Sequence, residues 1–335
     1  MIRSVEIKGL RGIREGKLAD MTPLVVLVGP NGSGKSTILD ALSIGASPTP
    51  AEAVGQAVSR RVELSQGARW LCWKAGTDGP ARVEISTDAP ATRVIELSVG
   101  RSHEAPYPLL NGRVLHKSEQ NGYHFAVHFR DATRPFDAPD LVKPLDGVSE
   151  VRFVDQRARV LQVPLHQLYT QAFVSGRVAE TQDMMKALMP AIEDVRILVE
   201  GDSPHIYLTY PDRAVPAAVA GDGLFHLLRL SLELTTRRGG SVLLEEPEVR
   251  LHPGGIRECA RAILAAVRRD IQVILTTHSI ELIDSLLSES TLKGRADLDK
   301  LSAYGVALKN GVLITTRYSG ADVESARGAI QEDLR

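Results

Sequence analysis

A chain of 335 residues, 43% hydrophobic and 24% charged, is ordinary globular material with length for one large domain or two modest ones. Forty basic residues against 41 acidic ones leave a formal net charge of -1, which excludes the global basic field that advertises nucleic acid or an anionic membrane. Two cysteines, Cys72 and Cys259, are too few for a disulfide framework and sit in apolar or amphipathic segments, so a reducing, cytoplasmic setting is expected. The start, MIRSVEIKGLRGI, lacks a signal-peptide hydrophobic region, and no apolar run approaches the roughly 20 residues that span a bilayer, so no membrane partner is expected.

In chain order, Val5 and Ile7 alternate with polar residues as a short strand, and LVVLV (24–28) reads as a strand buried on both faces. It runs into GPNGSGKST, after which Ile38, Leu39, Ala41 and Leu42 recur at helical spacing. From about 51 to 160 the pattern becomes RVEIS (82–86), VIELSV (94–99) and YHFAVHF (123–129), with Asn111-Gly112 and Asn121-Gly122 read as turns of an antiparallel β lobe. Trp70, Cys72 and Trp73 read as core. VRFV (151–154) is a strand, and 161–205 reads as a helical insertion with its helix over about 165–189.

The segment 206–290 returns to α/β alternation. IYLTY is a strand, Leu224, Leu227, Leu228 and Leu232 mark an amphipathic helix, and VLL is a strand. A helix carrying Ile256, Cys259, Ile263 and Val267 comes next, then strand QVILTT (272–277). Arg237 and Arg238 read as solvated. The tail, 291–335, holds a hairpin turning on Asn310-Gly311 and a short polar helix. No heptad pattern or internal repeat interrupts this order.

Gly29 to Ser36 fit G-x-x-x-x-G-K-[ST], with a buried strand before and a helix after, which a structural glycine turn seldom supplies. Glycines let backbone N–H groups wind around phosphate oxygens, and the helix N-terminus favours their charge. The ATP-binding set is Asn31, Gly32, Ser33, Gly34, Lys35, Ser36 and Thr37. Lys35 reaches the β- and γ-phosphates, and Ser36 offers its hydroxyl to Mg²⁺.

The stretch LLEEPEVRLHP (243–253) puts two acids after an apolar run. Alone, the pair is a strand end turning into solvent. Beside a phosphate loop it divides into a metal-side acid, Glu245, and a residue suited to polarise the attacking water, Glu246. His278 in TTHS (276–279) falls at another strand end, where ligands bind in open α/β sheets, and suits a γ-phosphate contact. His124 and His128 share one face of a strand and read as its polar outer side rather than a metal pair.

The order GPNGSGKST, AGDGLFHLLRL, LLEEPEVRLHP, TTHS resembles the ABC-type ATPases of the RecF, SMC and OLD branch, and IKGLRGI resembles that branch's opening strand. The EEPE…LHP and GDGL forms look most like OLD proteins and their stand-alone relatives. The fold this implies is α/β, a P-loop NTPase of the ABC-ATPase type: a mixed sheet core with an antiparallel β lobe and a helical lobe, in one domain over 1–335. The phosphate-loop part spans 1–50. The resemblance also implies a homodimer sandwiching two ATP molecules, with Ala220, Gly221, Asp222 and Gly223 as the signature acting in trans. Ala220 replaces the usual serine and leaves backbone N–H groups to meet the γ-phosphate. Glu245 stands where many relatives have aspartate. Gln156 matches the glutamine that reaches Mg²⁺, and Arg11 a basic residue that touches nucleotide, with a solvated arginine as the plainer alternative.

Without heptads in 50–200, the coiled-coil arms of SMC-like proteins are not expected, and the stretch after His278 is short for the OLD nuclease domain. Two functions are in view. One is an ATPase whose ATP-bound dimer drives or gates DNA repair or defence against foreign DNA. The other is a slow ATP-dependent module controlling a separate effector, a nuclease or toxin. A transporter motor is disfavoured by the RecF-like start.

Overall fold

The computed structural model describes residues 1–60, 67–89, 92–101, 108–116, 122–129, 150–154, 163–292 and 295–327. The chain opens with β1 (Ile2–Leu10), β2 (Ile13–Leu18) and β3 (Leu24–Val28), then α1 (Lys35–Ala46) and α2 (Pro50–Ser59). After them come strands β4 (Ala81–Thr87), β5 (Thr92–Arg101), β6 (Pro108–His116), β7 (Tyr123–His128) and β8 (Val151–Val154). Next are α3 (Leu165–Val174), α4 (Val178–Leu188), β9 (Asp194–Glu200), β10 (Ser203–Thr209), β11 (Ala214–Pro216) and α5 (Asp222–Thr235). The last part is β12 (Ser241–Glu245), α6 (Pro253–Arg268), β13 (Gln272–Thr276), α7 (Ile280–Thr291), β14 (Leu301–Lys309), β15 (Val312–Ser319) and α8 (Gly320–Ser325).

All five residues of β3 are buried, as an aliphatic strand with neighbours on both edges and cover on both faces must be. Its parallel neighbours are β14 and β13, and β12 and β8 continue the parallel series beyond β13. Side chains alternate between two cores. Val25, Leu27, Leu243 and Ile274 join α1 and the N-terminal strands, whereas Leu24, Val26, Val242, Leu244, Val273 and Leu275 join the α5, α6 and α7 side. The period of two in these strands thus feeds both faces of one sheet.

The β lobe is the antiparallel wing of that same sheet. Among the described residues its order is β7-β6-β5-β4-β1-β2-β15-β14-β3-β13-β12-β8, with β9 to β11 forming a separate three-stranded sheet. Asn111 and Gly112 lie inside β6 rather than at a turn: Gly112 pairs with Phe125, and a Cβ there would stand 2.0 Å from the phenyl ring, so glycine lets the ring cross the backbone. Asn121 is outside the described residues. The predicted helix over 165–189 is two helices, α3 and α4. Trp70 is 54% exposed, not core, whereas Cys72 and Cys259 are buried. The hairpin forms as expected, with Lys309 opposite Val312 and both Asn310 (φ 53°) and Gly311 (φ 80°) in the left-handed region that a two-residue turn demands. Among the described residues no helix is long and apolar enough to cross a membrane.

The short parallel edge is held to α5 by charge. Glu233, 1% exposed, accepts hydrogen bonds of 3.1 and 3.0 Å from the Nε and Nη2 of Arg152, with Arg229 and Arg237 each at 3.6 Å. Arg237 is therefore a buried-network residue rather than a solvated one, since it also pairs with Glu150. Removing the charge of Glu233 would leave three partly buried guanidinium groups facing each other without their shared carboxylate. Glu233→Gln, which keeps the shape and removes the charge, should lower unfolding stability by about 3 kcal/mol in urea titrations. An unchanged midpoint would mean the arginines do not depend on the carboxylate.

Candidate nucleotide-binding and hydrolytic site

The loop at 29–34 leaves the buried end of β3 and enters α1 through three glycines in conformations that L side chains resist: Gly29 (φ 146°), Gly32 (φ 78°) and Gly34 (φ 98°). At Gly29 a Cβ would meet the carbonyl oxygen of Val306 at 2.2 Å, so β14 presses the loop from behind. Gly34 is the N-cap of α1. The Oγ of Ser33, a residue 3% exposed, has no hydrogen-bond partner among the described residues. Lys35 donates from Nζ to the carbonyls of Gly29 (2.7 Å) and Pro30 (3.0 Å), so its ammonium is folded back on its own loop. Burial pushes the pKa of Lys35 down, while the negative charges of Glu246 and then Glu245 pull it back up. Asn31 and Gly32 are exposed, Ser36 is half-buried and Thr37 is buried.

Opposite the loop, β12 ends on Glu245 and the chain turns sharply. Glu246 has φ 46°, a conformation costing a non-glycine residue of order 1 kcal/mol. It is held there because its N–H donates to the carbonyl oxygen and to Oγ1 of Thr276, both at 3.1 Å. Strand β13 lies between β3 and β12, so the acids sit one strand removed from the phosphate-loop strand rather than beside it. His278 lies just past β13, and its Nε2 is 3.6 Å from Oε1 of Glu246. The carboxyl ends of three adjacent parallel strands thus bring together Lys35, His278, Glu245 and Glu246, where open α/β sheets bind ligands.

The strand-exit loop at 246–252 also reaches the other candidate segment. A short 3₁₀ turn, Ala217–Val219, leads through Ala220 to Gly221 (φ 117°), the N-cap of α5, and a Cβ at Gly221 would find no atom within 4 Å. Asp222 pairs with Arg250 at 3.1 Å, a Cβ at Gly223 would meet the Arg250 carbonyl oxygen at 2.5 Å, and a ring nitrogen of His226 is 2.9 Å from the Pro247 carbonyl oxygen. The N-terminus of α5 is therefore bolted to the loop carrying Glu246.

Arg11 has protein partners: Nε is 2.9 Å from buried Asp40 on α1, which Arg60 also engages, and Nη2 donates to the Ala57 carbonyl at 2.6 Å. Gln156 lies outside the described residues. The sequence alone does not single out Glu248, which is 8% exposed. Its Oε1 accepts from the Thr277 hydroxyl at 2.5 Å and the His278 N–H at 3.2 Å. The one sequence signal was an acid directly after a proline in EEPE, which does not reveal burial.

Among the described residues no cluster of three or more His, Cys, Asp or Glu could hold a metal. The donors on hand, the Ser36 hydroxyl and the Glu245 carboxylate, are hard oxygens, and their small number suits Mg²⁺, which completes its shell with substrate phosphates and water.

Comparisons with known proteins bear on the fold and on its use of nucleotide. Residues 1–49 match the family model "AAA ATPase domain", and residues 179–284 match "AAA domain, putative AbiEii toxin, Type IV TA system". A Helicobacter pylori protein named ATP/GTP phosphatase is 21% identical over 331 residues, spanning 86% of this chain and 89% of that one. An SMC head bound to the C-terminal winged-helix domain of ScpA aligns with a TM-score of 0.55 at 15% identity, over 95% of this chain and 97% of that one. An SMC head with an extended coiled coil, bound to the C-terminal domain of ScpA derived from Pyrococcus furiosus, aligns at 0.55 and 12% identity, over 99% of each chain. Likeness at these identities fixes the fold, which is the P-loop NTPase fold of the ABC type. ATPase-domain matches cover the phosphate loop and the Glu246–His278 segment, and together with the likeness to an ATP/GTP phosphatase they support ATP hydrolysis on a fold like that of SMC heads.

The partners of Lys35 and Arg11 separate their roles. Lys35→Ala should weaken equilibrium ATP binding by about tenfold or more if, as its motif position implies, Lys35 makes a charge-assisted phosphate contact. Arg11→Ala should leave that affinity within about threefold while lowering unfolding stability by about 2 kcal/mol, because Asp40 loses a partner. A tenfold loss of affinity in Arg11→Ala would show that its guanidinium leaves Asp40 for the nucleotide.

Proposed function

We propose that the chain binds MgATP at the 29–37 loop, hydrolyses it with Glu246 and His278, and uses the cycle to make and release an ATP-sandwiched homodimer. The observation that carries the reading is the convergence of Lys35, Glu246 and His278 at one sheet edge, with Glu246 and His278 already 3.6 Å apart at their side chains.

Lys35 exchanges the carbonyls of Gly29 and Pro30 for phosphate oxygens, a swap that returns its ammonium to full charge pairing. Loop N–H groups and the start of α1 hold the phosphates. Ser36 and Glu245, with Gln156 as the further ligand that the family resemblance implies, would hold Mg²⁺, which would supply neutralisation of phosphate charge. Glu246 orients a water in line with the γ-phosphorus and accepts its proton as the P–O bond to the β-phosphate breaks. His278 meets the γ-phosphate, with its own backbone anchored through Glu248. The second subunit supplies the N–H groups at Gly221 to Gly223, which open α5 and, with Ala220 in place of serine, act without a hydroxyl.

The reading is supported by the relative named as an ATP/GTP phosphatase and by SMC heads of the same fold. The EEPE…LHP and GDGL forms favour an OLD-like branch. Gating of DNA repair or of defence against foreign DNA is the use this resemblance favours, in the cytoplasm. A second reading, a slow ATP-dependent regulator of a separate effector such as a nuclease or toxin, is favoured by the solved SMC heads that carry a bound ScpA domain, a protein docked on the same fold.

Glu246→Gln should lower kcat by about a hundredfold or more while retaining ATP binding, and should accumulate ATP-dependent dimers in light scattering. ATP-loaded Glu246→Gln that stays monomeric would contradict the sandwich. In the wild type, turnover raised by linear DNA favours direct DNA gating, and turnover indifferent to DNA favours the effector reading.

A further inference from the structure

Glu248 is a carboxylate where acids are seldom found, 8% exposed and in neither helix nor strand. Its Oε1 receives two donors from consecutive residues at the exit of β13, the Thr277 hydroxyl and the His278 N–H. The Thr277 oxygen in turn accepts the Ser279 N–H at 2.9 Å. One carboxylate oxygen therefore fixes three successive residues, 277 to 279. On its own side, Glu248 sits in a loop whose turn is set by Val249 N–H on the Glu246 carbonyl (3.1 Å) and Leu251 N–H on the Glu248 carbonyl (3.0 Å). The exits of β12 and β13 are thus clasped twice, once by the Glu246 N–H on Thr276 and once by Glu248 on Thr277 and His278. The imidazole of His278 faces the Glu246 carboxylate between these two clasps.

We propose that Glu248 is the positioning residue of the hydrolytic site, setting through Oε1 where His278 stands relative to Glu246 and the γ-phosphate. The inference deepens the hydrolytic reading and rests on it, because it takes His278 as a γ-phosphate contact.

A role as a second base is ill suited to the site. Among the described residues the buried Oε2 of Glu248 has no partner, and Oε1 is occupied by two donors. Burial, helped by the charge of Glu246, pushes its carboxyl pKa up, although the bonds from Thr277 and His278 oppose the shift. What the position requires is an acceptor of this length, not a charge. Glutamine supplies the same acceptor and alanine none.

The test is steady-state ATP turnover by the full chain for Glu248→Ala, Glu248→Gln, Thr277→Val, His278→Ala and the combinations of the first and third with His278→Ala. Glu248→Ala should lose about tenfold in kcat with KM for ATP within about threefold, and Glu248→Gln should stay within about threefold of wild type in both. Thr277→Val, which removes one donor from the clasp, should lose about threefold or more in kcat. In the His278→Ala background, Glu248→Ala and Thr277→Val should each cost less than about twofold more, the non-additivity expected of residues acting through one another. Full additivity in that background, or Glu248→Gln as damaging as Glu248→Ala, overturns the proposal and leaves the catalytic reading of His278 standing. Full turnover by His278→Ala overturns both. If Glu248→Ala does not fold, the Thr277→Val and His278→Ala cycle decides by the same criteria.

Discussion

Parallel pairing of β3, β13 and β12 is the constraint on which the site depends. The register puts Leu27, Thr276 and Glu245 in line across the three strands, so the loops leaving these strands emerge at one edge of the sheet. Neighbouring strands are about 4.8 Å apart, which carries the acids to within about 10 Å of the phosphate-loop strand. The pairing is available only because these strands are aliphatic on both faces and covered on both, by α1 and the antiparallel wing on one side and by α5, α6 and α7 on the other. A slip of one residue in β12 would exchange its two faces and move Glu245 off the edge.

Electrostatics and backbone strain then work on the residues the sheet has aligned. Lys35 is buried with its charge turned back on two carbonyls, an arrangement that phosphate oxygens can displace at little cost in geometry. Glu246 occupies a left-handed backbone conformation that two bonds to Thr276 maintain. Strain stored at one residue between two rigid strands aims its carboxylate, because the surrounding structure over-determines it. The same exit loop reaches α5 through Asp222, Gly223 and His226, so the phosphate-loop edge of the sheet and the start of α5 are joined through one loop.

Much of this was legible in the sequence wherever the chemistry is local. A contiguous glycine loop after an aliphatic run declares both its conformation and its ligand, and Asn310-Gly311 declares its turn because only a few residues tolerate the required φ. The two acids and the histidine were legible as strand-end residues. The features hidden in the sequence are long-range. Asn111-Gly112 carries the same turn signal as Asn310-Gly311, yet it lies within β6, because the partner that needs its missing Cβ is Phe125 on the next strand. The antiparallel lobe reads as separate until β1 is seen to pair with both β2 and β4, which fuses it to the core sheet. Arg237 and Glu248 look solvated by composition and are not, because Glu233 and Glu150 in one case, and Thr277 and His278 in the other, come from other elements of the fold.

The most direct measurement is a crystal structure of the Glu246→Gln chain with MgATP. Lys35 should have left the carbonyls of Gly29 and Pro30 for the phosphates, and the γ-phosphate should lie between His278 of one chain and the N–H groups at 221–223 of a second. A γ-phosphate contacted by one chain alone, with the start of α5 facing solvent, would contradict the shared site.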